Sequence, residues 1–263
     1  MKKKLIALLT VLGVVIILGL IFWSRNKNKQ NNQENNNFQP NQEVEIKTPL
    51  QERPYVFLTP SIDGREFTLD IERIKDEIKT IEYELVYDSQ GLPRGVIGSI
   101  DLKDNEHQVQ RKLTLGTCSK NVCKYDEGVE KGTLTLRLRS SLGVEKFTSD
   151  FHLQKGSKEL TSADGKFKLE GKFPANAFYL VMPTIGLPEK IEGKFLSEPY
   201  GVFTAEKSGV KNLNLTLSLL ETTETAKLFL FDGKSLTEPS GAKVEGDKLN
   251  ATVNSLGIFF ATE

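Results

Sequence analysis

Histidine, cysteine and tryptophan are almost missing from this chain, and each scarcity excludes something. Its 263 residues include two histidines, two cysteines and one tryptophan. A structural zinc site wants four ligands, and the only histidines are His107 and His152, so zinc is not expected. Neither histidine sits in a recognisable catalytic motif, so each reads as an ordinary surface residue. No nucleophile elbow, HExxH, Walker A or dinucleotide glycine pattern is present. No enzyme and no cofactor are therefore expected. An excess of one charge is missing as well: 35 basic and 35 acidic residues are spread along the chain. Without a basic stripe to follow phosphates, nucleic acid is not an expected partner.

Long apolar runs are also absent, with one exception. Lys2, Lys3 and Lys4 precede an uncharged stretch over residues 5–23, followed by Ser24, Arg25, Asn26 and Lys27. About 19 residues at 1.5 Å rise cover roughly the 30 Å of a bilayer core. Length and exit sequence favour a retained signal anchor over a cleaved signal peptide, with Trp23 and Arg25 at the membrane interface. Positive charge flanks both ends, so charge alone does not orient the span. Cys118 and Cys123 bear on orientation. A close pair in an otherwise cysteine-free, tethered chain reads as a disulfide formed outside the cytosol; two reduced thiols in a turn are the alternative.

After the span, residues 27–42 are mostly Asn and Gln and read as a solvated tether. From residue 53 onward the pattern has period two. Phe67, Leu69 and Ile71 alternate with polar residues, as do Ile81, Tyr83, Leu85 and Tyr87, then Leu134, Leu136 and Leu138, then Leu213, Leu215, Leu217 and Leu219. Alternation gives a sheet one buried and one wet face. Asp63-Gly64, Gln90-Gly91, Glu127-Gly128, Asp164-Gly165, Asp232-Gly233 and Ser240-Gly241 punctuate the runs as turns. Ile71, Ile74, Ile78 and Ile81 also fit helical spacing, so a helical turn there competes with a polar loop. About 210 residues suit two sandwiches better than one. The expected class is all-β: two tandem β-sandwich domains preceded by one N-terminal transmembrane helix and a disordered linker. The expected bounds are 1–4 (cytoplasmic basic end), 5–23 (helix), 24–52 (linker), 53–155 and 156–263 (sandwiches), with a protease-sensitive seam near 154–160.

Two resemblances sharpen this. The stretches TIEYELVYD from Thr80, GTLTLRLRS from Gly132 and VEKFTSDFHL from Val144 resemble a fibronectin type III or immunoglobulin-like module. The tryptophan and inter-sheet disulfide of the immunoglobulin core are absent, so the likeness is architectural. TSADGKFKLEGKFPANAF from Thr161, VKNLNLTLSLLE from Val210 and the closing segment with Leu256, Gly257, Ile258 and Phe259 resemble the β-sandwich module of zonula-occludens scaffold proteins, ankyrins and netrin receptors. That resemblance implies assembly or adhesion rather than catalysis.

Two ligand readings remain open. Asp101, Asp104, Asn105 and Glu106 crowd one loop and are a calcium candidate, or a solvated turn. Sugars are met by exposed aromatic platforms, and the exported part has no tryptophan. Tyr125 and Tyr200 are the candidate platforms, each alternatively a tyrosine capping a sheet edge. The expectation is a single-pass cell-membrane protein with extracytoplasmic C-terminal domains, binding an envelope protein through sheet edges or loops, or else a glycan.

Overall fold

A computed structural model describes residues 45–263 except 121, 208 and 224. The membrane span, Trp23, Arg25 and the tether as far as residue 44 lie outside the described residues. Among those described there is no α-helix, and no helix long and apolar enough to cross a membrane. The chain is all-β, in several sheets.

The alternating runs are realised as strands. In chain order they are β1 (Glu45–Ile46), β2 (Tyr55–Pro60), β3 (Glu66–Glu72), β4 (Ile78–Ser89), β5 (Leu92–Asp101), β6 (Val109–Thr114), β7 (Gly116–Ser119), β8 (Val122–Tyr125), β9 (Lys131–Ser140) and β10 (Gly143–Lys155). There follow β11 (Glu159–Thr161), β12 (Phe167–Glu170), β13 (Phe178–Pro183), β14 (Tyr200–Phe203), β15 (Leu213–Ser218), β16 (Lys227–Phe231), β17 (Leu236–Thr237), β18 (Lys243–Glu245), β19 (Lys248–Val253) and β20 (Ile258–Thr262). All six turn glycines named above have positive φ, from 69° at Gly64 to 90° at Gly233, which a side chain would resist. The competing helical turn does not form: β3 ends at Glu72, Arg73 turns at φ 58°, a loop carries Ile74 into the core, and β4 opens with the buried Ile78.

One large sheet runs β17-β16-β20-β14-β13-β10-β9-β4-β5, and β1 joins β10 in parallel. Its β4, β9 and β10 are packed by a three-stranded sheet, β2-β3-β6, around Phe67, Phe151, Leu85 and Leu136. A five-stranded sheet, β11-β12-β15-β19-β18, packs β13, β14, β16 and β20 around Phe167, Tyr200, Leu215 and Phe259. The two covers lie on opposite faces. Along β13, Leu180 and Met182 belong to the first core while Tyr179 and Val181 belong to the second, and side chains alternate along a strand. The sheet runs unbroken across the expected 155/156 seam, through β10–β13 pairing from His152–Val181 to Lys155–Phe178.

Residues 45–52, inside the range expected as linker, carry regular structure. Glu45 and Ile46 pair with Val144 and Glu145, and a 3₁₀ turn covers Leu50–Glu52. Thr48 Oγ1 donates to the buried Glu145 at 2.6 Å, Arg53 Nε to Thr48 O, and Arg73 to Gln51 O and Leu187 O. Ile46 and Leu50 interrupt the polar composition, and this strap follows from them.

Candidate interaction surfaces

The site readings from the sequence fare unequally. Cys118 and Cys123 form a disulfide, directly opposite one another in the β7–β8 hairpin. The calcium candidates are not drawn together: Asp101 accepts from Thr80 Oγ1, Asp104 from Lys79 Nζ, and Glu106 from the Lys103 N–H. Among the described residues no group of three or more His, Cys, Asp or Glu side chains could hold a metal. Asp101 and Asp104 bond across to β4, and Glu106 bonds within its own turn. Tyr200 is not a platform. It is 1% exposed, stacks on Phe167, and its hydroxyl donates to Asp164 at 2.7 Å. Burial, then Asp164, push its ionisation well above the usual tyrosine range. Burial disfavours the Asp164 carboxylate, but hydrogen bonds from Ser162, Tyr200 and the Lys166 N–H outweigh it and hold the carboxyl below its usual range. Tyr125 is half-buried with the Arg65 guanidinium 5.0 Å over its ring. His107 contacts Ile74 O and Asp76, and His152 contacts Thr161 O.

Three features that the sequence reading did not single out are better placed to bind something. The first is a groove of about 420 Å³ between β2 and the β14–β16–β20 region. Its floor is an aromatic stack in which Tyr55 and Phe203 lie either side of Phe57, each 4.8 Å away centre to centre. Phe57 and Phe203 are half-exposed, and Thr59, Glu206, Asp232 and Asn254 edge the groove. The second is a cleft of about 650 Å³ between the strap, β10 and the β13–β14 connection. Arg53 lines it, its guanidinium 5.6 Å over the Phe147 ring. Burial lowers that group's pKa and Glu198 partly restores it.

The third is the outer edge of β5, which no other strand joins among the described residues. Its register on β4 pairs Thr80 with Asp101 and Ser89 with Leu92, and the Leu102 N–H donates to Lys79 O at 2.9 Å. In an antiparallel ladder alternate residues bond inward, so even-numbered β5 residues bond to β4 and Gly95, Ile97, Ser99 and Asp101 turn their backbone groups outward. All four are exposed, Ile97 by 78%. Tyr83 lies across Gly98, where an added Cβ would come 2.2 Å from its hydroxyl.

Among the described residues, most other edges of the larger sheets are guarded. β17 has two residues and β11 three; β18 carries Lys243 and Glu245; β6 carries Arg111 and Lys112; and on β2 the Val56 carbonyl is taken by the Ile185 N–H. Short or charged edges resist strand addition. β5 has ten residues, with charge only at Arg94 and Asp101, and no charged side chain from Gly95 to Ile100. No protein-family model matches the chain, and neither a curated protein nor a solved structure does.

Proposed function

We propose that the protein is a membrane-anchored, non-catalytic binding module, held outside the cytosol by residues 5–23 and carrying two sandwiches that share a sheet. The observation that carries the binding role is the unguarded β5 edge. An exposed edge accepts an extended protein strand through main-chain hydrogen bonds, so the partner is a protein presenting a strand. Anchoring rests on the apolar run, and export is supported by the disulfide, a bond that persists in oxidising compartments. The resemblances to immunoglobulin-like and scaffold-protein sandwiches agree with a role in adhesion or envelope structure.

The test has two arms. Fractionation of cells expressing the full chain should place it in the membrane pellet, with residues 45–263 open to external protease. A photo-crosslinking residue at position 97 should form protein adducts, lost when Ser99→Pro removes one outward N–H. Recovery of the full chain from the cytosolic fraction, or adducts indifferent to Ser99→Pro, would overturn the proposal.

A second reading is supported by the Phe57–Phe203 stack, whose half-exposed rings and polar rim suit a sugar face. A glycan array probed with the full chain should then give hits that Phe203→Ala removes. An empty array dismisses this alternative.

A further inference from the structure

Resting on the strand-addition reading, we propose that the strand added to β5 is β5 of a second copy, antiparallel about a twofold axis through Ile97. A twofold interface must be self-complementary, each residue meeting a position that meets it in return. Only registers whose paired numbers sum to an even value keep the two outer faces on one side, because alternate residues point to opposite faces. The register centred on Ile97 places Gly95 opposite Ser99, Ile97 opposite itself, Arg94 opposite Ile100 and Asp101 opposite Pro93. Each outward-facing residue then meets an outward-facing residue, giving about eight new backbone hydrogen bonds.

Proline falls where it does no harm. Pro93 lacks an N–H but still offers its carbonyl to Asp101 of the other copy. Charge is compatible too, since the Arg94 end of one strand meets the Asp101 end of the other and no like charges stand opposite.

The outer face around this edge is charged, with Arg139 on Glu82 and Arg137 near Glu84. Val86 and Ile97 break the pattern: 42% and 78% exposed, they lie on that face at the edge, Val86 opposite Gly95. Pairing two copies on this register sets the two Ile97 side chains beside one another across the axis and shields part of each, while Val86 lies one strand further from the axis, on β4.

The experiment measures the mass of the full-length chain in detergent by light scattering and sedimentation. It also places the photo-crosslinker at position 97 in cells, with Ile62, exposed in the β2–β3 turn, as control position. The wild type should have twice the chain mass at tens of micromolar, and Ile97→Lys and Ser99→Pro should halve it without shifting the melting temperature. Ile97→Lys sets like charges opposite, and Ser99→Pro deletes an N–H that β4 does not use. The adduct at position 97 should contain two copies of this chain, and position 62 should give none. A monomeric wild type, or a dimer that survives both substitutions, overturns the proposal. An adduct at position 97 to a different protein, still lost with Ser99→Pro, also overturns it while leaving strand addition standing. No specific adduct overturns both.

Discussion

Tyr200→Phe removes a hydroxyl that bonds Asp164 and, at 3.5 Å, reaches Glu198, without changing the shape of the core. The ring is buried against Phe167 and keeps its packing, while the hydroxyl bond to Asp164 Oδ2, 2.7 Å long, is lost. Bonds to a charged group contribute about 1.5–3 kcal/mol. Asp164 is 34% exposed, so water satisfies part of the freed carboxylate and the lower end, about 1.5 kcal/mol, applies. For a unit of this size that is a fall of about 3–6 °C in melting temperature.

The pH dependence has a definite sign. The folded state holds the Asp164 carboxyl below its ordinary 3.8, so the group adds stability above that pH and loses it as pH falls through the folded value. In acid the bond becomes neutral to neutral and the cost of Tyr200→Phe should drop to about 1 kcal/mol. Thermal unfolding of wild type, Tyr200→Phe, Asp164→Asn and the double variant, at pH 7 and through a falling pH series that passes the titration of folded Asp164, measures this. The two single effects should fail to add by about 1 kcal/mol at pH 7. Strict additivity, or a Tyr200→Phe cost unchanged in acid, refutes the account.

Phe151→Ala should be the harsher change, costing about 3–5 kcal/mol, because the ring is wholly buried edge-on to Phe67 at 5.2 Å; calorimetry reads it. Replacing Cys118 and Cys123 by serine opens a very short loop and should cost about 2 kcal/mol. The effect should be local, seen as faster amide exchange from Gly116 to Tyr125 with little change in Phe151's neighbours. Burial first, and nearby carboxylates second, raise Tyr55, Tyr87 and Tyr200 above the ordinary 10.0. Their contribution is intact below pH 10 and should be lost as pH rises above it, because the unfolded chain ionises first. A melting temperature flat from pH 9 to 11.5 would contradict that. Burial lowers His152 from 6.5, so Tm should fall as pH drops below that value, and His152→Gln should flatten this slope.

Strands with one wet face were legible because period two marks them: Phe67, Leu69 and Ile71 are fully buried, and so are Leu134 and Leu136. The turns were legible because glycine takes a positive φ at little cost. β13 was not. Its FYLVMP run does not alternate because both faces are covered, and such a run carries no sign of which sheets it joins. Tyr200 misled for a related reason. Its place next to turn residues suggested exposure, while its hydroxyl finds Asp164, 36 residues away in sequence, a pairing that only the fold brings about. The β5 edge left a trace in GVIGSI, uncharged and glycine-punctuated, but whether a strand is terminal is decided by topology.

The strap has a mechanical meaning. A load pulling on residue 45 from the N-terminal side meets the two-residue parallel pairing of β1, the Thr48–Glu145 bond and Arg73's grip on Gln51 before it reaches either aromatic core. Those polar contacts yield in sequence. Peeling residues 45–52 would release roughly 25 Å of chain while both sandwiches stay intact.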